Sequence, residues 1–176
     1  MKVALFVPCY IDLIFPEVGI EVVYPKKQTC CGQPMANEGD QKDAARIEKN
    51  FCENFENLEV DYIIGPAGSC VKHVRLHMDA IEQTPAVTEI RTKTLELVEF
   101  LHDILNVKEF PWAQFPHKIA IHNSCSAIRG LHLMSRFEWM EPKFNKTQDL
   151  LEKVKGIHIE EIDRPEECCG FGGTFC

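Results

Sequence analysis

The residues that could do chemistry are the cysteines, and their spacing is the first feature to explain. Thr29-Cys30-Cys31-Gly32-Gln33-Pro34 returns near the other end as Glu167-Cys168-Cys169-Gly170-Phe171-Gly172. Vicinal cysteines bond to each other only with strain, but two neighbouring thiolates beside a glycine can face one metal centre. Further cysteines at Cys9 and Cys70 extend the first motif to a set of four. Cys125 and the terminal Cys176 do the same for the second. Soft thiolate sets of this kind select iron–sulfur clusters, zinc or Cu(I). The spacing is not the short C-x₂-C-x₂-C run of a ferredoxin, nor the paired C-x₂-C knuckles of a zinc ribbon.

The chain's bulk properties narrow the setting. At 176 residues with 45% hydrophobic content it can bury a proper core. A net charge of −8 without a basic run argues against nucleic acid or an anionic membrane surface as partner. No transmembrane segment is expected, since no twenty-residue apolar span occurs. The start does not read as a secretory signal, because Val3 to Val7 is cut short by Pro8 and followed by Asp12. Nine cysteines in a protein of the reducing cytoplasm are expected to bind metal or catalyse rather than to bridge.

The elements that must position these cysteines follow from hydrophobic pattern. Val3 to Val7, Glu21 to Tyr24 and Val60 to Ile64 read as strands, with Cys9, Cys30-Cys31 and Cys70 in the turns beyond them. Gln41 to Phe55, Val71 to Ile81 and Val87 to Leu105 carry helical spacing. Pro111 and Pro116 mark a connector, after which the pattern restarts. Lys118 to His122 is a strand leading to Cys125, Ala127 to Met134 and Thr147 to Val154 are helical, and Gly156 follows as a cap. Ile157 to Ile162 is a strand leading to Cys168-Cys169. The order predicts an α/β protein of two similar βαβ-type halves, 1–110 and an incomplete 111–176. Its strands are parallel, and its cysteine sites lie at strand carboxyl ends, where such sheets bind ligands.

On these motifs the chain resembles the cysteine-rich Cys-Cys-Gly domain family, which includes the B subunit of heterodisulfide reductase. The lone Cys9 after the first strand, Cys30-Cys31-Gly32 and then Gly68-Ser69-Cys70 follow the family order, and the resemblance covers nearly the whole chain. Within the family, Phe6 to Asp12, Phe15 to Gly19, Thr29 to Pro34, Pro66 to Cys70 and Cys168 to Phe175 look most like the iron–sulfur subunits of lactate oxidation. The resemblance implies an electron-transfer subunit of an L-lactate or related 2-hydroxy acid oxidoreductase complex, with the other subunits as partners. It implies a [4Fe–4S] cluster, of the cubane or the non-cubane kind, with Cys9, Cys30, Cys31, Cys70, Cys125, Cys168, Cys169 and Cys176 as ligands. The alternatives are a thiol–disulfide reductase like heterodisulfide reductase B and a zinc-binding structural module. Catalytic residues are not assigned.

Departures from the family pattern are specific. Ala67 replaces the first cysteine of a Cys-x-x-Cys pair, which removes a fifth thiolate from the first site. Twenty residues separate Cys9 from Cys30, fewer than in the family, and Pro8 to Ile20 is rich in Pro8, Pro16 and Gly19. That interval makes a poor crossover helix, so a segment is expected to be missing after Ile20, and another before Cys176. Gly170 to Thr174 lacks the Gly-Lys-Ser/Thr ending of a phosphate loop. Cys52 belongs to the apolar stripe of its helix, and His122 is read as a satisfied strand-end residue. His73 and His77, four residues apart, are assigned to a solvated helix face.

Overall fold

The structure is a computed structural model and describes residues 1–5 and 20–170. The chain forms two compact units, Met1–Glu96 and Leu97–Gly170.

The first unit is built on a four-stranded parallel sheet. Strands β1 (Lys2–Leu5), β2 (Glu21–Val23), β3 (Tyr62–Gly65) and β4 (Thr94–Glu96) lie in the order β2-β1-β3-β4. Val3 stands opposite both Val22 and Tyr62, and Ile64 opposite Leu95. The apolar runs of β1 and β3 are buried, as expected of inner strands covered on both faces: Val3, Ala4 and Ile64 are wholly enclosed.

Helix α1 (Gln33–Glu38) begins immediately after the first Cys-Cys-Gly, with Gly32 in the left-handed region at φ 91° and Pro34 in its first turn. Helix α2 (Gln41–Phe55) is capped by the Asp40 carboxylate, which accepts the Asp43 N–H at 3.0 Å. It buries Ala44, Phe51, Cys52 and Phe55 on the sheet side, with the Phe51 and Phe55 rings 4.7 Å apart. Helix α3 (Gly68–Lys72) continues as one π-helical turn, His73–His77. Helix α4 (Pro85–Lys93) is capped by Thr84, whose hydroxyl accepts the Val87 N–H.

One expectation is corrected here. Val87 to Leu105 is not a single helix, because Thr94–Glu96 leaves it to become β4 on the edge of β3. Thr94, β-branched and fully buried, turns extended at ψ 122° while its hydroxyl donates to the Ile90 carbonyl at 2.7 Å. Pairing with an open strand edge outweighs a helical period of modest strength.

The second unit resumes the helix as α5 (Leu97–Glu99) and a π turn, Phe100–Ile104. Strands β5 (Lys118–Ala120) and β6 (His158–Glu160) form a two-stranded parallel sheet with Lys118 opposite His158. The expected helix after Cys125 is a single π turn, Ser126–Gly130, that buries Ile128. Helix α6 (Lys146–Leu151) is capped by Asn145 and buries Leu150. Gly156 sits at φ 84°, where a Cβ would lie 3.1 Å from the Pro116 Cα. The second sheet is thus half the size of the first. No helix among the described residues is long and apolar enough to cross a membrane.

Candidate metal centres

In the first unit the loop carrying Cys30 and Cys31 joins β2 to α1, and it is anchored on both sides. The Gln28 side-chain amide donates to the Leu5 carbonyl at the end of β1 at 3.0 Å. Asn50 of α2 donates to the Thr29 hydroxyl at 2.8 Å. Cys70 stands in the first turn of α3, just past the end of β3. These anchors bring the buried Cys31 thiol into a hydrogen bond with the half-buried Cys70.

The pair divides its charge unevenly. The hydrogen bond to Cys70 and then burial hold Cys31 protonated, well above the ordinary thiol range. The hydrogen bond received from Cys31, helped by Ser69 and opposed by burial, lowers Cys70 to about 7. Cys70 is therefore substantially thiolate at neutral pH, the form that binds metal. Cys30 is exposed and adds a Coulombic push on Cys31.

The second unit pairs different members of its motif. Cys125, at the start of its π turn, shares a hydrogen bond with Cys168. Burial and then that bond raise Cys125, whereas the Gly170 N–H, 3.4 Å from the Cys168 sulfur, lowers Cys168. The Arg129 guanidinium bonds both Glu138 and Cys125, adding positive charge beside the pair. Cys168 and Cys169 are exposed.

None of the described cysteines is in a disulfide. Among the described residues no three His, Cys, Asp or Glu side chains are gathered as a metal ion would require. Each unit thus brings two sulfurs together, and Cys9 and Cys176 lie outside the described residues. So do the residues from Pro8 to Gly19, on which the expectation of a missing segment rests. Cys52 is core, as expected, and its thiol lies 3.8 Å from the Met78 sulfur. His122 is exposed.

The histidine expectation is half corrected. His77 is exposed, but His73 is only 2% exposed and its Nε2 lies 3.0 Å from Glu48 Oε1. Glu48, fully buried on α2, also accepts the Ala80 N–H at 3.0 Å through Oε2. Burial raises the Glu48 carboxyl, opposed by the Ala80 N–H, and burial together with the neighbouring His77 lowers His73 to about 4. The pair forms part of the wall of a cavity of about 340 Å³ that Gln33, Asn37 and Lys72 also line. Glu48 was visible in the sequence as a charge inside an apolar helical stripe, four residues after Ala44 and three before Phe51.

Comparison with known proteins identifies the family. The cysteine-rich CCG domain matches residues 3–75 and 119–176, each segment carrying one Cys-Cys-Gly. The chain belongs to the CCG cysteine-rich domain family. It is similar to Lactate utilization protein A of Halalkalibacterium halodurans, 35% identical over 190 residues that span 99% of this chain and 72% of that protein. The same-named protein of Exiguobacterium sp. is 38% identical over 189 residues, 99% of this chain and 73% of its own. Both aligned stretches are longer than the 176-residue chain, so these relatives carry residues in intervals that this CCG protein keeps short. No solved structure matches.

Proposed function

We propose that this CCG-domain protein is an iron–sulfur electron-transfer subunit of a complex that oxidises L-lactate or a related 2-hydroxy acid. The supporting observation is the pairing of thiols from separate loops at strand carboxyl ends in both units, in a chain similar throughout to Lactate utilization protein A. The donor chemistry fits: the sulfurs are unbridged, and one of each pair is biased towards thiolate. Cys9, Cys30, Cys31 and Cys70 would hold one cluster, and Cys125, Cys168, Cys169 and Cys176 a second. A bound [4Fe–4S] cluster would supply a one-electron acceptor.

The chain's own residues prepare the sites. Cys70 is ready as thiolate, whereas Cys31 must release its proton, so loading should liberate protons and weaken at low pH. The Gly170 N–H and the Arg129 cation stabilise negative sulfur at the second site, a lever on reduction potential. Partner subunits of the complex would deliver the electrons.

Anaerobic purification followed by iron, sulfide and zinc analysis tests the cofactor. Iron with equimolar sulfide and broad visible absorption is the expected result, and zinc alone without colour refutes it. Bleaching of that absorption by L-lactate only when the partner subunits are present is expected of the electron-transfer role. Bleaching by lactate without them, or none with them, counts against it.

A further inference from the structure

The Cys-Cys-Gly loop rests on a polar floor. If a Cβ were added to Gly32 it would lie 3.1 Å from Glu48 Cγ, 3.5 Å from the Ala44 carbonyl oxygen and 3.7 Å from His73 Nε2. The glycine therefore serves two needs, a φ of 91° and the closeness of its backbone to the Glu48–His73 pair. The helical stripe at position 48 could have carried an aliphatic residue, and burying a carboxylate there is unfavourable unless it is fully hydrogen-bonded. It is: His73 meets Oε1 and the Ala80 N–H meets Oε2, each at 3.0 Å.

The pair also joins the segments that bear the sulfurs. Glu48 belongs to α2, which holds the loop through Asn50 and Thr29. His73 follows Cys70 by three residues in the continuous run of α3 and its π turn. Gly32, seated on both, directly follows Cys31. We infer that Glu48 and His73 are positioning residues for the first cysteine site: the pair seats Gly32 and so sets the distance at which Cys31 meets Cys70.

With Cys31 and Cys70 taken as cluster ligands, as proposed above, the pair acts on the cluster only through these sulfurs. The test therefore uses the full-length, metal-free, reduced chain. Site-resolved labelling by iodoacetamide is followed by mass spectrometry for Cys31, Cys70 and Cys52. Glu48→Ala is expected to raise the labelling rate of the buried Cys31 about tenfold by favouring local opening of the loop. Glu48→Gln, which keeps both hydrogen-bonding positions, stays within about twofold of wild type. Cys52, one turn further along α2, reports general loosening and is expected not to change. His73→Leu, which keeps the helix and fills the site, repeats the Glu48→Ala pattern and guards against a variant that merely fails to fold.

Unchanged Cys31 labelling in both Glu48→Ala and His73→Leu overturns the inference, as does a parallel rise at Cys52. Glu48→Gln behaving like Glu48→Ala also overturns it, because the hydrogen-bonding seat would then be irrelevant. A wild-type chain that takes up no iron sinks the cluster reading instead, and the labelling pattern of the metal-free chain still decides the seat.

Discussion

Replacing Cys31 by alanine should change the acidity of Cys70 in a calculable way. The hydrogen bond from Cys31 is the largest influence lowering Cys70 from an ordinary 9.0 to about 7, and burial opposes it. Without the donor, the still half-buried Cys70 returns to 9.0 or above. At pH 7 the thiolate fraction then falls from about one half to about one in a hundred. Each remaining thiolate is more nucleophilic, by about six- to tenfold over two pKa units, so the net alkylation rate falls only about five- to eightfold. The midpoint of the pH–rate profile is therefore more diagnostic than the rate. Iodoacetamide labelling of Cys70, resolved by mass spectrometry between pH 5.5 and 10 on the metal-free chain, measures it. Cys31→Ser, which retains a hydroxyl donor, should fall between the two. A Cys31→Ala midpoint within about half a unit of wild type refutes the reasoning.

Other outcomes follow from the same geometry. Cys31→Ser should lose the first cluster's share of iron and colour while far-UV circular dichroism is unchanged, since the apolar strands supply the core; a chain that unfolds would make metal a folding element. Phe51→Ala removes a wholly buried ring packed on Phe55 and should cost about 3–5 kcal/mol in urea unfolding of the first unit. His73, lowered to about 4, leaves the unfolded chain binding an extra proton between its ordinary 6.5 and that value. His73 alone should therefore lower stability as pH drops through this window, by at most about 3 kcal/mol, an effect partly offset because the Glu48 carboxyl, raised by burial, gains a proton more readily in the folded chain. His73→Gln should flatten that limb when denaturation midpoints at pH 7 and 4.5 are compared.

How much of this was legible in the sequence depends on where the decisive contacts lie. The apolar runs of β1 and β3 and the amphipathic stripe of α2 announce themselves, because burial on two faces or one leaves a local pattern. Strand β4 does not: Thr94-Leu95-Glu96 sits inside a helical period, and only the free edge of β3 converts it. Helix α1 is signalled by Pro34, two residues after Gly32 and in the helix's first turn, but its six residues are too few to carry a helical period of their own. The helix expected after Cys125 is likewise reduced to one π turn, which is capped at Leu131, with Ile128 and Leu131 both buried.

The two Cys-Cys-Gly motifs read alike in sequence but pair differently in space. In the first unit the second cysteine of the motif, Cys31, meets the later Cys70; in the second unit the first cysteine, Cys168, meets the earlier Cys125. Burial separates them further, since Cys31 is fully buried in the core of the first unit whereas Cys125 and Cys168 are exposed in the second. Desolvation and neighbouring charge set the potential of a thiolate-held cluster. Two clusters in such unlike surroundings should not titrate together: the exposed second site, with Arg129 and the Gly170 N–H beside its sulfurs, should be the easier to reduce. Redox titration followed by electron paramagnetic resonance, with Cys31→Ser to remove the first site, assigns the two steps. A single step in wild type that Cys31→Ser only halves would mean that the two surroundings are electrostatically equivalent, contrary to this argument.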